Sequence, residues 1–300
     1  MSSLSRRAAL GLAGAGVAWA MIGCSDDEPE RDGADGSHPP VDEEDGVDVI
    51  AYGDEDELQR GALFLPDGDG PHPVVVLVHG GFWRPEYDRR LMDPLAESAV
   101  DRGWAAWNID YRPSGPGGGW PTTFTDVAAA VDHLAELADE HRLDLERVAV
   151  VGHSAGGTLA LWTAARANLP GDAPGADPVV EPAAVVSQAG VVNLAAGSVE
   201  QLGRRAVDDL MGGTSIEVGD RYALASPVER IPLGVPAYLV HGDADPIVPV
   251  EQSATYRDRA VEAGDDVTAD LQPDVDHFEV IEPDSSAWIG VTTWIGERFA

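Results

Sequence analysis

The segment V-V-G-H-S-A-G-G-T-L, residues 150–159, decides the reading of this chain. It runs from a short apolar, β-branched stretch into Gly152-His153-Ser154-Ala155-Gly156 and then into small helix-forming residues. A turn that passes from strand to helix this tightly forces the serine at its apex into strained dihedrals and lifts its hydroxyl above the sheet. Backbone comes so close on either side that only glycine fits easily at 152 and 156. The first N–H groups of the helix, unpaired and at its positive end, then point at any oxygen that gains negative charge beside the serine. The G-x-S-x-G pattern predicts a nucleophilic Ser154 and acyl transfer. A three-position motif also arises by chance as a glycine-rich turn, so the rest of the site has to appear in the right order.

Upstream, P-V-V-V-L-V-H (73–79) is a continuous apolar run with the length and β-branched content of a buried parallel strand. It ends in His79-Gly80-Gly81-Phe82-Trp83, where a glycine pair at the carboxyl end of a central strand lets backbone N–H groups turn into the crevice. The N–H groups of Gly81 and Phe82, joined by that of Ala155, are the expected oxyanion donors. Downstream, P-A-Y-L-V-H (236–241) is another strand, broken at Gly242-Asp243-Ala244-Asp245-Pro246. A carboxylate on the loop after a late strand can reach the far nitrogen of a histidine and hold its tautomer. Asp245, in a loop stiffened by Pro246 and Pro249, is the preferred acid. Asp243 is the fallback, with turn capping as its competing structural job. The one histidine beyond residue 241 is His277, in D-V-D-H-F (274–278), and it is the expected base. His38 and His72 fall in polar, proline-rich loops and His133 and His141 on a surface helix; His79, His153 and His241 flank turns, where they orient backbone rather than carry protons. Trp83 and Trp120 are the aromatics expected nearest a substrate pocket, with core packing as the default for both.

The order Ser154, Asp245, His277 is the chain order of the α/β hydrolases. H-G-G-F-W (79–83), D-Y-R (110–112), G-G-G-W-P (117–121), G-H-S-A-G-G (152–157) and H-G-D-A-D-P-I-V-P (241–249) together resemble that superfamily. Within it the chain is most similar to small esterases of the BD-FAE type, near the kynurenine formamidase and hormone-sensitive-lipase-like branches. The resemblance runs from about residue 46 to the C-terminus. It implies an α/β-hydrolase fold with a mostly parallel central sheet, helices on both faces and room for a small lid. It also implies a triad of Ser154, His277 and Asp245, oxyanion donors at Gly81, Phe82 and Ala155, and no cofactor. Lipase-like relatives carry a third glycine where this chain has Phe82, and the aromatic form is more like the formamidase side. That departure leaves both ester and amide bonds open; carboxylic esters are the leading substrates, with amide, aryl-formamide and peptide bonds as rivals.

Strand-like runs at 62–65, 73–79, 104–110, 147–151, 183–187, 236–241 and 267–271 alternate with helix-like ones near 88–102, 122–141, 155–168, 250–264 and 285–298. That alternation predicts a parallel sheet covered on both faces. No metal-ligand cluster and no phosphate loop is visible in it. Two stretches break the rhythm: 168–182, rich in Gly, Pro and Asp, and 190–233, which holds an expected helix at 199–211. Insertions of this sort lie at the carboxyl ends of the strands in the superfamily, as lid or pocket wall, with plain surface loop as the equal alternative.

Residues 1–23 read as an export signal, in which Arg6-Arg7 is a twin-arginine pair and the uncharged stretch after it is short for a membrane span. M-I-G-C (21–24) resembles a bacterial lipoprotein cleavage box. Cys24, the only cysteine, becomes a candidate lipidation site and can form no internal disulfide. Residues 24–45 are acidic with almost no large apolar side chains, an expected disordered tether, and 46–300 suffice for one catalytic domain. These features predict an exported protein held at the outer face of the cell membrane by its lipid. The chain sets 53 acidic residues against 19 basic ones, all arginine, for a net charge of −34. Such a surface disfavours nucleic acid and anionic lipid headgroups as partners and leaves a small acyl substrate as the expected one. The rival reading from another class is a non-catalytic surface lipoprotein that keeps the fold for binding. An intact Ser154, Asp245 and His277 argue against it.

Overall fold

The computed structural model describes residues 47–300. The expected signal (1–23), tether (24–45) and Cys24 lie outside the described residues. The strands are β1 (Asp48–Ala51), β2 (Arg60–Phe64), β3 (His72–Val78), β4 (Ala105–Ile109), β5 (Leu143–His153), β6 (Ala184–Gln188), β7 (Ala237–Gly242) and β8 (Val267–Gln272). The helices are α1 (Asp93–Val100), α2 (Thr122–Asp132), α3 (Leu134–His141), α4 (Ala155–Ala165), α5 (Leu194–Val199), α6 (Leu202–Met211), α7 (Gly219–Ala225), α8 (Glu251–Ala263) and α9 (Ser286–Phe299). The strands form one sheet in the order β1-β2-β4-β3-β5-β6-β7-β8. β1 pairs with β2 and β2 with β4 antiparallel; the remaining pairings are parallel. This is the α/β-hydrolase fold.

The apolar run of β3 explains the layering. Successive side chains of a strand point to opposite faces, so a strand buried on both must be apolar at every position. Val74, Val76 and Val78 enter the core on the side of α2, α3, α4 and α8, with Phe124, Leu134, Leu159 and Tyr256. Val75 and Leu77 face the other way, onto Leu95 and Ala99 of α1 and Trp288 and Val291 of α9. α4 is buried at every residue. A helix with no polar face belongs inside, and here it starts at the serine turn.

Two expectations are corrected. The 168–182 stretch does not lie over the carboxyl ends of the strands. Ser154 is at the N-terminal end of α4, and this stretch follows the opposite end, about 16 Å away for eleven residues. There Val179 and Val180 donate backbone N–H to Asp132, Arg166 pairs with Asp132 at 2.6 Å, and Ala183 donates to Val148 O as the chain enters β6. The helix expected at 199–211 is two helices, because Gln201, Gly203, Arg204 and Arg205 take positive φ between α5 and the right-handed end of α6. That segment does reach the site: Arg84 donates to the Gly203 carbonyl, and the Phe82 ring packs against Gly203.

The segment behind the serine turn is anchored by an ion pair onto a buried carboxylate. Arg112 makes a two-pronged contact with Asp126 in the second turn of α2, at 2.8 and 2.7 Å, and Gln59 donates to the same carboxylate at 2.9 Å. The adjacent Tyr111 ring stacks on His79, with centroids 4.3 Å apart, and its hydroxyl donates to the His79 carbonyl at 2.9 Å. At the end of β5, buried His153 donates Nε2–H to the carbonyl of His277 at 2.9 Å. Burial, then the neighbouring His277, pull the His153 imidazole down to about 3.

Asp126→Ala removes the acceptor of the buried Gln59 amide and one of the two carboxylates on Arg112, which keeps Glu55 and contact with solvent, and is expected to lower stability by about 1–3 kcal/mol, read as a lower urea midpoint. His153 gives a pH test. The unfolded chain binds this proton below its ordinary value of 6.5 while the folded chain does not, so His153 subtracts stability as pH falls through that range, by up to about 1.4 kcal/mol per unit. Relief of acidic repulsion acts in the opposite direction across the whole surface. The discriminating quantity is therefore the stability of wild type minus that of His153→Gln, which should fall between pH 7.5 and 5; a constant difference would contradict the burial argument.

Candidate active site

Ser154 sits between β5 and α4 at φ 52°, ψ −116°, strained dihedrals for a residue with a side chain. What holds it there is close packing. A Cβ on Gly152 would lie 2.0 Å from the Gly156 carbonyl oxygen, and one on Gly156 would lie 2.1 Å from that of Val78, so neither position accepts a side chain. The Ser154 N–H is tied to the Gln188 carbonyl at the end of β6, at 2.8 Å. Ala155, the first residue of α4, has an N–H with no partner inside the helix.

The second wall is the turn after β3. Gly81, Phe82 and Trp83 take positive φ of 109°, 54° and 55° in succession. His79 Nδ1 lies 2.7 Å from the Gly80 carbonyl oxygen, and because a carbonyl only accepts, that nitrogen carries the proton. Holding the Gly80 carbonyl on the histidine side turns the N–H of the same planar peptide, that of Gly81, the other way. Among the described residues neither the Gly81 nor the Phe82 N–H has a backbone acceptor. Burial lowers the affinity of His79 for a second proton, and burial followed by Asp110 raises the Tyr111 phenol well above its usual range, so both stay neutral.

The third wall joins two loops. A Cβ on Gly242 would fall 1.9 Å from the Val275 carbonyl oxygen, so glycine there lets the loop after β7 meet the loop after β8. Across that contact His277 Nδ1 lies 2.6 Å from Asp245 Oδ2. The Asp245 side chain is fully buried, and its Oδ1 accepts the N–H groups of Ile247 and Val248 at 2.8 and 2.9 Å. Burial pushes this carboxyl up, but the bonds from His241 and His277, the charge of His277 and the Val248 N–H outweigh it and hold the group well below the usual carboxylate range. An ionised Asp245 requires His277 Nδ1 to be the protonated nitrogen, which leaves a lone pair on Nε2. The His277 ring packs 4.8 Å, centroid to centroid, from that of His153, the residue before Ser154.

Asp243 turns away from this pair. Its Oδ1 accepts the Asp274 N–H at 2.7 Å and caps the neighbouring turn. Trp83 is wholly buried and offers no surface to a ligand. Trp120 is partly exposed and meets Phe124 edge to face at 5.0 Å. A cavity of about 470 Å³ opens beside Phe82, with Arg84, Ser114, Arg205, Asp208 and Gly213 in its wall, so part of the 190–233 insertion borders the turn after β3. Three contacts were not foreseen in the sequence: His153 on the His277 carbonyl, His241 on Asp245, and half-exposed Phe278 set edge-on to the His277 ring at 5.3 Å. The G-H-S and H-G-D histidines were visible as residues; the partner of His153 lies 124 residues away, and that of His241 depends on how the loop after β7 folds back on the strand. Among the described residues no group of three or more His, Cys, Asp or Glu side chains is arranged to hold a metal ion.

Residues 62–259 match the family model BD-FAE. The esterase LipQ of Mycobacterium tuberculosis is 30% identical over 196 residues, which are 64% of this chain and 46% of that protein. A monoacylglycerol lipase of Mycolicibacterium smegmatis is 29% identical over 263 residues, 78% of this chain and 91% of that one. The chain thus spans about half the length of LipQ and nearly all of the lipase. The propionate-bound esterase Est2 of Thermogutta terrifontis superposes with a TM-score of 0.69 at 22% identity, covering 84% of this chain and 93% of that one. The fold, the serine turn and the match over 62–259 agree, and the chain belongs to the BD-FAE family of the α/β-hydrolase fold.

Proposed function

We propose that the protein is a serine hydrolase of the carboxylesterase type, acting on small acyl esters through Ser154, His277 and Asp245. The observation that carries this reading is the 2.6 Å bond between His277 Nδ1 and a buried, ionised Asp245, beside a serine held at φ 52°. In this mechanism His277 Nε2 takes the Ser154 hydroxyl proton as Oγ attacks the acyl carbonyl. Negative charge develops on the carbonyl oxygen and is met by the N–H groups of Gly81, Phe82 and Ala155, each worth about 3–4 kcal/mol in the transition state. His277 then protonates the leaving alcohol, and water repeats the sequence on the acyl-enzyme. An amide substrate is the second reading, favoured by Phe82 in place of a third glycine. We also propose that residues 1–23 direct export and that Cys24, lipidated as a new N-terminus, anchors the protein to the outer face of the membrane; mass spectrometry of the mature N-terminus tests this.

A fluorophosphonate should form a single adduct on Ser154, and Ser154→Ala should lose both the adduct and about 10⁴- to 10⁶-fold of ester hydrolysis. A folded wild type left unlabelled would reject the catalytic reading in favour of a binding protein. A graded panel of acyl esters and anilides then separates the two bond classes. Hydrolysis should also fall on acidification, because a protonated His277 cannot accept the serine proton. Asp245, held below the carboxylate range, adds no second ionisation between pH 5 and pH 8. A rate that stays flat across that interval would rule out His277 as base.

A further inference from the structure

We infer that His241 is a positioning residue of the site: it is a second histidine on Asp245, and it holds the carboxylate in the one orientation that binds His277. This rests on the proposed triad. His241 is the penultimate residue of β7 and has no exposed surface. Its Nε2 lies 3.0 Å from the Val248 carbonyl oxygen and 3.2 Å from Asp245 Oδ2. Since the carbonyl can only accept, Nε2 carries a proton shared between these two oxygens. The Nδ1 of the same ring lies 2.8 Å from the hydroxyl of Ser253 on α8, which is also fully buried. The ring is held at both nitrogens, by Ser253 on one side and by Val248 and Asp245 on the other.

The carboxylate therefore receives four donors. The Ile247 and Val248 N–H groups occupy Oδ1, and His277 and His241 occupy Oδ2. The two backbone donors fix one oxygen but leave the other free to tilt about the side-chain bond. His241 approaches Oδ2 from the β7 side and His277 from the β8 side, and the pair confines it. Both histidines compete for the same oxygen, but unequally. The contact to His277 is 0.6 Å shorter, in the range of a strong charge-assisted bond, whereas His241 divides its proton with Val248. His241 thus steadies the acid without drawing it from the base.

The test follows the His277 Nδ1 proton directly by NMR in full-length protein labelled with ¹⁵N-histidine, the resonance being identified by its loss in His277→Gln. In wild type it should lie far downfield. In His241→Phe, which keeps the ring volume and removes the donor, it should move upfield or broaden by exchange, with kcat on a short-chain p-nitrophenyl ester reduced about 10- to 100-fold and KM within a factor of two. His241→Gln, which restores an N–H donor, should recover most of both. Ser253→Ala, which frees the ring without removing it, should give an intermediate shift and decides the matter if His241→Phe does not fold. A folded His241→Phe or Ser253→Ala with the wild-type resonance and kcat would overturn the assignment. If the wild type fails to take a phosphonate on Ser154, the proposed hydrolase function falls, while the resonance still reports whether His241 positions Asp245.

Discussion

The site depends on how closely α4 can approach the strands beneath it. A single methyl at Gly156 would sit 2.1 Å from the Val78 carbonyl oxygen, so any side chain there lifts the helix. Lifting the helix moves the Ala155 N–H away from those of Gly81 and Phe82, and displacements of about 1 Å are enough to cost two orders of magnitude in rate. The helix cannot relax outward instead. It is buried at every residue, and its neighbours are packed at the density of a crystal. The strain stored in Ser154 is thus maintained by the core together with the bond from its N–H to the Gln188 carbonyl.

Around that packing the polar groups of the site are locked from behind. Arg112 and Asp126 fix the segment that carries Tyr111; Tyr111 fixes His79 by stacking and by its hydroxyl; His79 fixes the Gly80 carbonyl and with it the direction of the Gly81 N–H. On the opposite side Ser253, His241 and the 247–248 backbone fix Asp245, and His153 fixes the main chain of His277. Among the described residues His153 Nδ1 is left without a hydrogen-bond partner, but each donor named in these two chains meets an acceptor. This is the condition under which a polar network gives one arrangement instead of several.

Much of this was legible in the primary structure, for identifiable reasons. The buried parallel strands announce themselves as unbroken apolar runs, and β2 through β8 fall on the seven stretches expected. β1 escaped notice because Asp48–Ala51 is a four-residue edge strand, largely exposed and embedded in acidic sequence, with no periodicity to reveal it. The spacing of the site motifs pointed to Ser154, Asp245 and His277, since a tight turn and a late loop are local features. What local features cannot convey is which elements meet. The bond between His241 and Ser253 needs β7 and α8 in register, the one from His153 to His277 needs β5 beside the loop after β8, and the place of 168–182 depends on where α4 stops. Trp83 stands next to the oxyanion turn in sequence yet is turned wholly into the core.

The choice of arginine for every cation has a bearing on the alkaline side of neutrality. A guanidinium keeps its charge beyond any pH the fold would meet, so the Arg112–Asp126 and Arg166–Asp132 pairs do not open as alkali is added. The phenols that brace the frame behave alike, because burial raises Tyr52 and Tyr111, which donate to the Asp110 and His79 carbonyls, above the ordinary tyrosine value of 10.0. In an unfolded chain those phenols would ionise first, so their stabilising bonds begin to be lost only as pH climbs past that value. The molecule is therefore lopsided in its tolerance: protons threaten it through neutral buried imidazoles, while hydroxide finds almost nothing in its frame to remove.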